Sequence, residues 1–491
     1  MFRRLKINLD QKETPLFTAL TQYIAKNYAY LHLPAHRQGK ALSELLSPGG
    51  RSLLHLDLTE LPGLDDLYYP QEAIARAQEL AAALYKASQS FFLVNGTSGG
   101  IQALILSLCR PGDELLLPRN CHRAVLGGLI LSGAKPVYLP PVINQEFGFA
   151  AGIAPEELTR TLNEHRDCRG LLLVHPTYYG VAGDLAKLTA FVHQENKPVL
   201  VDEAHGAHFP FHPALPPDAL SCDADAVVQS MHKLGGSLTQ SSLLHLKGRR
   251  LASSRVADSL RLLQTSSPSY LLLASLDVAR RQMALTGYKL LDQALEIAFQ
   301  ARDEISKISG LKIFGAENLN YQGACFFDPT RIVISVKQWG LTGYRVAQLL
   351  SSTYRVQVEM ADYYNLVAVV SLGSTREDAQ ALVKGLSEIW QKEAKINQPL
   401  PDVPLYPPPV PVRLTPREAW FAPNRLVSLK ESAGLISTQE ITISPPGVPL
   451  LFPGEEITIE MRDYLGQLKK INIPVKGFTG PQKDRLQVIK S

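Results

Sequence analysis

The chain has 491 residues, of which 45% are hydrophobic and 20% are charged, and its formal net charge is +4. This length predicts two or three domains with a sizeable core, and the composition is typical of globular proteins. So small a charge argues against a nucleic-acid binder or a membrane-surface protein, and no apolar run approaches the ~20 residues of a membrane span.

The five cysteines form no CxxC pair. The sequence therefore favours neither a disulfide framework nor a zinc site, no metal is expected, and a reducing compartment, the cytoplasm, is predicted. The opening MFRRLKINLDQKE lacks the apolar core of a secretory signal.

The first part of the chain is predicted to contain a helix at 15–30 and a second at 70–87. Two polar stretches separate them, LPAHRQGK and LDLTELPGLDDLYYP. On composition alone, the first is typical of a surface loop, and acids in the second are typical of helix caps or solvated charges. Their ionisable residues of interest are His36, Arg37, Lys40, Asp57, Asp65 and Asp66.

The next stretch, SFFLVNGTSGGIQALILSL, predicts a strand at 91–94, a glycine turn and a helix. Such a turn can bind a phosphate, because its peptide N–H groups and the helix dipole favour an anion. Gly96, Thr97 and Ser98 are the candidates, and a simple helix cap is the alternative. The pattern is neither GxxxxGKS nor GxGxxG, so a nucleotide is not specifically indicated.

From here the chain alternates strands and helices, which predicts a doubly wound, mostly parallel sheet. The predicted strands are 114–117, 136–139, 171–175, 199–201 and 226–228, and the predicted helices are 121–131, 155–164 and 184–195. His122 falls at the start of the helix that follows a strand, where a capping histidine is the plain alternative to a ring that stacks on a flat cofactor.

Two of these strands end in residues that carry chemistry. PVLVDEAHGAHF delivers Asp202, and ADAVVQSMHKLGG delivers Ser230, His232 and Lys233. Because open α/β sheets bind ligands just beyond their strand ends, an acid and a lysine are expected at one sheet edge. Pyridoxal phosphate (PLP) requires a lysine for a Schiff base and a carboxylate for its ring nitrogen. A surface pair is the alternative for these two residues taken alone.

Beyond this sheet the pattern becomes helical over 253–304 and returns to short strands and helices over 310–395, including a helix at 375–391. Prolines then crowd into 397–416, which predicts a stiff connector before a small α+β unit.

Together these motifs resemble the Orn/Lys/Arg decarboxylase family in its short form, whose members are fold-type-I PLP enzymes acting on basic amino acids. The matching strings occur in family order from about residue 15 to 470: LPAHRQGK, GLDDL, FFLVNGTSGG, PRNCHRAVLGGL, HPTYYGVAGDL, VDEAHGAHF, SMHKLGG, TSSPSY and ISPPGVPLLFPGE. One departure is Pro34-Ala35-His36-Arg37, where the family usually reads PGHK. Alanine removes a position open to positive φ, and arginine changes the reach of the charge.

The resemblance implies an α/β fold: a fold-type-I large domain with a mostly parallel doubly wound sheet, a smaller α/β domain and a C-terminal α+β domain. The expected boundaries are 1–65 for an N-terminal segment, 66–300 for the PLP-binding domain, 301–395 for the small domain, 396–416 for the linker and 417–491 for the C-terminal domain. It also implies a homodimer or a higher homo-oligomer with active sites at the dimer interface.

The resemblance implies a role for each matched residue. Lys233 forms the Schiff base, Asp202 pairs with the pyridine nitrogen and His122 stacks on the ring. His205 orients either the phenolic oxygen or Asp202. The residues expected around the phosphate or the Schiff base are Gly96, Thr97, Ser98, Ser230 and His232, with Ser266 or Ser267 supplied by the partner chain.

The implied reaction is decarboxylation of arginine, lysine or ornithine to agmatine, cadaverine or putrescine, as in polyamine biosynthesis. Protonation at Cα is assigned to His232 or Lys233. The late strand NLVAVVSLGS lacks the arginine with which transaminases of this fold bind the substrate carboxylate, which favours decarboxylation. The candidates for the distal cation of the substrate are Asp65, Asp66, Glu359 and Asp362.

Two other interpretations stay open on the sequence. An aminotransferase, aldolase or C–S lyase could use the same lysine, acid and glycine turn. A non-catalytic regulatory or scaffold protein could retain the fold, although the intact Lys233, Asp202 and His122 argue against it.

Overall fold

The computed structural model describes residues 9–26, 34, 51–319, 322–394, 398–403, 406–443, 447–480 and 483–490. His36, Arg37 and Lys40 lie outside the described residues.

The elements alternate between helices and strands along much of the chain. The α-helices are α1 (Pro15–Ala25), α2 (Arg51–Leu54), α3 (Ala73–Leu84), α4 (Gly96–Leu108), α5 (Ala124–Ser132), α6 (Pro155–Glu164), α7 (Leu185–Gln194), α8 (Met231–Leu234), α9 (Ser253–Leu263), α10 (Tyr270–Ser306), α11 (Gly343–Tyr354), α12 (Arg376–Glu393), α13 (Pro416–Phe421) and α14 (Ile459–Lys470). The strands are β1 (Gln89–Leu93), β2 (Glu114–Pro118), β3 (Lys135–Leu139), β4 (Ile143–Asn144), β5 (Phe149–Ala150), β6 (Leu171–Val174), β7 (Val181–Ala182), β8 (Val199–Asp202), β9 (Ala226–Gln229), β10 (Ser242–Leu246), β11 (Lys312–Phe314), β12 (Phe326–Phe327), β13 (Arg331–Ser335), β14 (Met360–Ala361), β15 (Asn365–Val369), β16 (Asn424–Ser428), β17 (Ile441–Ile443), β18 (Val448–Leu451), β19 (Val475–Lys476) and β20 (Arg485–Ile489).

The chain divides into two compact units. The first contains Met1–Ser107 and Leu200–Leu290, and the second contains Leu108–Val199 and Leu291–Ser491. The five-part division expected from the sequence stays a prediction.

In the first unit the strands lie in the order β1-β10-β9-β8. β8 and β9 are parallel, with Asp202 level with Val228, whereas β10 is antiparallel to both of its neighbours. Every residue of β8, β9 and β10 is buried, which explains why β8 and β9 start with continuous apolar runs and not with alternating ones. Buried Asp277 of α10 accepts hydrogen bonds from the N–H groups of Leu16 and Phe17, at the start of α1.

In the second unit the parallel strands lie in the order β6-β2-β3, and a separate antiparallel sheet has the order β11-β13-β15-β14. The C-terminal part adds the pair β16-β20, the sheet β18-β17-β19 and α14. A buried ion pair joins Arg119, just after β2, to Glu455, with Nη2 and Oε2 2.9 Å apart. The guanidinium also lies over the rings of Tyr138 and Phe452, so this part packs against β2 and β3.

Most predicted elements are confirmed with small changes at their ends. The helix at 155–164 has the predicted bounds, and α12 begins one residue after Thr375, which forms a capping box with Asp378. The prediction of a helix starting at 121 was early by three residues. Strand β10 was not predicted. Among the described residues, no helix is both long and apolar enough to cross a bilayer, and no cluster of side chains is suited to a metal ion.

Candidate active site

The parallel pair β8 and β9 brings the predicted acid and lysine to the same edge of the sheet of the first unit. Asp202 is the last residue of β8, is 6% exposed, and accepts a hydrogen bond from the N–H of Ala204 at 3.1 Å. One strand away, Ser230 follows β9 and Lys233 lies in the short helix α8. The expectation that the two strand ends meet at one edge is confirmed.

Lys233 turns back toward the segment that carries the acid. Its Nζ lies 2.8 Å from Nε2 of His205, three residues after Asp202. This hydrogen bond links the amine of Lys233 to the imidazole of His205. The family resemblance implied that His205 orients the phenolic oxygen of the cofactor or Asp202. The contact between His205 and Lys233 was not predicted.

The predicted strand, glycine turn and helix are present between β1 and α4. Gly96 has φ of 66°, a left-handed conformation that glycine adopts without strain, and its N–H donates to the carbonyl of Gln240 at 2.8 Å. α4 begins at this residue, so its first-turn N–H groups lack acceptors within the helix. The hydroxyls of Thr97 and Ser230 lie 3.1 Å apart, which joins the turn to the end of β9. N–H groups and hydroxyls at one helix N-terminus are suited to a phosphate.

His232 is held in one tautomer. Its Nδ1 donates to the carbonyl oxygen of Ser241 at 3.0 Å, which leaves Nε2 as the acceptor. Burial lowers the pKa of His232 from its ordinary value, the charge of Lys233 lowers it further, and the Ser241 carbonyl opposes both effects. The ring is therefore neutral at pH 7 and able to accept a proton.

Two predicted cofactor residues lie in loops whose roles stay predictions. His122, in the second unit, is exposed in the turn before α5, and its Nδ1 accepts a hydrogen bond from the N–H of Ala124 at 3.2 Å. Ser266 and Ser267 are exposed between α9 and α10, and the N–H of Ser267 donates to the hydroxyl of Thr265.

Among the acids proposed for the substrate cation, Asp65 has a structural function. Its carboxylate accepts five backbone N–H groups, from Asp66, Gln71, Glu72, Ile74 and Ala75. Both oxygens are used, and three of the donors lie at the N-terminus of α3. Half-buried Asp66 accepts from the N–H of Tyr68 at 2.6 Å and lies beside Glu60, whose pKa is raised by burial and by the charge of Asp66.

The other two acids lie in the second unit, beside the tyrosines of the HPTYYG string. Exposed Glu359 accepts a hydrogen bond from the hydroxyl of Tyr178. Buried Asp362 accepts from the hydroxyl of Tyr179 at 2.7 Å and from the backbone and side chain of Asn365. Burial raises the pKa of Asp362, and these hydrogen bonds oppose the rise. Asp362 also lines a cavity of about 110 Å³ whose walls are mostly aromatic and aliphatic.

Sequence reasoning missed a group of buried polar residues beneath the sheet edge: Ser90, Glu203, Gln229 and His245. The available signal was a polar residue inside an otherwise apolar run, as in VVQS and LLHL. Such a signal identifies the residues but not their partners, which come from different strands.

The residues of the first unit suit PLP. The N-terminus of α4 offers anion-binding N–H groups, the amine of Lys233 lies on the same sheet edge, and Asp202 supplies a buried carboxylate. These are the three kinds of group that the phosphate, the aldehyde and the ring nitrogen require.

Comparison with known proteins gives one consistent result. Residues 14–378 match the Orn/Lys/Arg decarboxylase major domain, and residues 412–482 match the C-terminal domain of the same family. The chain is 39% identical over 484 residues to the arginine decarboxylase of Bacillus subtilis (strain 168), covering 98% of this chain and 99% of that protein. It is 38% identical over 490 residues to the arginine decarboxylase of Bacillus anthracis, covering 98% of each.

A solved structure shows the same fold. Lysine decarboxylase A from Pseudomonas aeruginosa superposes with a TM-score of 0.85 at 20% sequence identity, covering 97% of this chain and 80% of that one. The predicted α/β fold is confirmed by this likeness, and the chain belongs to the Orn/Lys/Arg decarboxylase family.

Proposed function

We propose that this protein is a PLP-dependent decarboxylase of basic amino acids and that its preferred substrate is L-arginine, which it converts to agmatine and carbon dioxide. The observation that carries the proposal is the shared edge of the parallel strands β8 and β9, with Asp202 as the last residue of β8 and Lys233 in the short helix after β9. The choice of arginine is supported by relatives named arginine decarboxylase that match almost the whole chain at 38–39% identity.

The cofactor would be held by three parts of the first unit. Thr97, Ser98 and Ser230 surround its phosphate at the N-terminus of α4, Lys233 binds its aldehyde, and Asp202 pairs with its ring nitrogen. When bound, PLP supplies an electron sink for the carbanion that loss of carbon dioxide leaves at Cα.

The protein's own groups would then do four things. The side chain of Asp202 would pair with the ring nitrogen and stabilise its positive charge. His205 holds Lys233 at 2.8 Å and so fixes the direction of its amine. His232, neutral because of its lowered pKa, would first accept at Nε2 a proton that the substrate's α-ammonium group loses and would then return that proton to Cα, with Lys233 as the alternative donor. His122 is assigned to stack on the ring.

Decarboxylation also requires that no arginine bind the substrate carboxylate strongly. A strong arginine clamp on the substrate carboxylate would stabilise the ground state, since that charge is lost in the transition state. Strand β15 contains no arginine, and Arg376, which follows it, begins α12 and bonds Glu296 at 2.6 Å. This arrangement supports decarboxylation over transamination.

For the distal cation, Glu359 is the best remaining candidate. Its carboxylate is exposed and has a hydroxyl partner in Tyr178, so it can exchange that bond for a guanidinium. Asp362 would first have to give up its bonds to Tyr179 and Asn365. Asp66 is half-buried beside another acid, and Asp65 is occupied by backbone donors.

We further propose a homodimer in the cytoplasm that supplies amines for polyamine biosynthesis. None of the five cysteines, all of which lie in the described part of the chain, forms a disulfide bond, and this supports a reducing compartment. A serine at 266 or 267 would reach the partner's cofactor, and light scattering with the holoenzyme tests the dimer.

The deciding experiment is incubation of the purified protein and PLP with L-arginine, L-lysine or L-ornithine, each without a keto acid. We expect release of carbon dioxide and an equal amount of amine, fastest with arginine, and none from Lys233→Ala. Turnover that requires a keto-acid acceptor would identify an aminotransferase instead, and lack of any turnover would support a non-catalytic protein.

A further inference from the structure

A line of buried polar side chains crosses the sheet of the first unit beneath the candidate active site. Ser90 lies in β1, His245 in β10, Gln229 in β9, and Glu203 directly after β8, and this is the order of the strands in the sheet. None of the four is more than 2% exposed. We call this set the cross-strand chain.

Each member of the cross-strand chain is hydrogen-bonded to the next. The Ser90 hydroxyl lies 2.6 Å from Nδ1 of His245, and Nε2 of His245 lies 3.2 Å from Oε1 of Gln229. Nε2 of Gln229 lies 2.7 Å from Oε2 of Glu203, and the N–H of Ala219 donates to Oε1 at 2.7 Å. Buried polar groups in such a fully bonded set cost little and fix their elements in one register.

The cross-strand chain can satisfy its members with Glu203 either ionised or protonated. If Glu203 is ionised, Gln229 donates to it, His245 donates from Nε2 to the amide oxygen, and Ser90 donates to Nδ1. If Glu203 is protonated, half a turn of the amide exchanges its oxygen and nitrogen, and every donor in the line reverses. The imidazole is neutral in both arrangements.

The surroundings favour the protonated arrangement. Burial raises the pKa of Glu203 well above its ordinary value, and the nearby charges of Asp218 and Asp202 raise it further, while Gln229 and the Ala219 N–H oppose the rise. His245 cannot supply a compensating positive charge, because burial lowers its pKa to about 3.

The last two members of the line, Gln229 and Glu203, are adjacent to the candidate active site. Glu203 follows Asp202 in the chain, and its N–H donates to the carbonyl of Val228 at 2.9 Å. Gln229 precedes Ser230. A change in the bond between Glu203 and Gln229 is therefore passed directly to the acid and to the serine that contacts Thr97.

We propose that Glu203 is an uncharged positioning residue, which holds Asp202 and Ser230 at a fixed separation through the cross-strand chain without placing a second anion beside Asp202. This inference rests on the proposed function, because it assigns Asp202 and Ser230 to the cofactor. Glu203 itself does not contact the cofactor in this scheme.

The test compares Glu203→Gln with Glu203→Met in the full-length protein. Glutamine is the uncharged isostere of protonated glutamate and can both donate and accept, whereas methionine fills a similar volume without hydrogen bonds. The readout is the dissociation constant of pyridoxal 5'-phosphate, from a titration of its visible absorbance. We expect Glu203→Gln to stay within about twofold of the wild type and Glu203→Met to bind roughly tenfold more weakly, the effect of one lost buried hydrogen bond. Equal loss in both variants, or wild-type affinity in Glu203→Met, would overturn the proposal.

A second measurement tests the protonation of Glu203 even if Glu203→Met does not fold or the protein binds no PLP. In the infrared difference spectrum between wild type and Glu203→Gln at neutral pH, we expect the carbonyl stretch of one protonated carboxylic acid. The difference is needed because other buried acids, such as Asp362 and Glu455, also have raised pKa values. A carboxylate band in its place would show that Glu203 is ionised and would overturn the proposal.

Discussion

Replacing Asp65 with alanine is expected to destabilise the protein without changing its choice of substrate. Oδ1 accepts N–H groups at 2.9 Å from Asp66 and Gln71, and Oδ2 accepts those of Glu72 and Ile74 at 2.9 Å and of Ala75 at 3.2 Å. The substitution removes all of these bonds.

The size of the effect follows from those contacts. Loss of a helix cap costs about 1 kcal/mol, and hydrogen bonds to a charged group contribute roughly 1.5–3 kcal/mol. Position 65 also has φ of 71°, which disfavours alanine by ~1 kcal/mol. Since water replaces part of the lost bonding at this half-buried site, we expect a total loss of ~2–4 kcal/mol.

Asp65→Asn is the matched control. Asparagine tolerates the left-handed conformation and keeps one acceptor oxygen, but its NH₂ group faces backbone donors. The midpoint of thermal unfolding should therefore be highest for the wild type, lower for Asp65→Asn and lowest for Asp65→Ala, with the KM for arginine unchanged in both variants. If Asp65 instead binds the substrate cation, both variants lose the same charge, and KM would rise equally in both while the midpoints stay level. That second pattern would refute the structural assignment.

Three further predictions test other parts of the site. Asp202→Asn should bind PLP but lower kcat by ~10²–10³-fold or more, the typical effect of removing a charge-stabilising group, and near-wild-type kcat would contradict its role. Burial lowers the pKa of His245 to about 3, so the stability that its neutral form provides is present above pH 6.5 and falls by ~2 kcal/mol between pH 7 and pH 5. Denaturation midpoints of wild type and His245→Gln should therefore converge as the pH falls, and parallel curves would refute this. In Gly100→Ala the new Cβ would lie 2.9 Å from Cγ1 of Val228, about 1 Å too close, so PLP affinity should drop about tenfold as α4 is pushed away, whereas Gly99→Ala should bind normally.

The sequence was sufficient for the features that depend on local pattern. Continuous apolar runs predicted the parallel pair β8 and β9, and because their ends share one edge, the placement of Asp202 and Lys233 at that edge followed. The glycine turn at Gly96 could likewise be predicted from the sequence, since a strand, a positive-φ residue and a helix form one local unit.

Features that depend on partners from distant strands could not be predicted from the sequence. Glu203 lies one residue from Asp202, yet its function is set by Gln229 and by Ala219, which only the fold brings near. Asp65 was proposed for the substrate because an acid in a turn has the same sequence signal whether it binds a ligand or caps a helix. β10 was not predicted because His245 interrupts its apolar run. In the structure, buried His245 is a member of the cross-strand chain.

The central claim is that Lys233 carries the cofactor, and the most direct test is to locate the bound group. The purified holoenzyme is reduced with borohydride, digested, and analysed by mass spectrometry. We predict one phosphopyridoxyl group, on the peptide MHKLGG at Lys233. A reduced adduct on another lysine, or none in protein that has taken up PLP, would contradict the account.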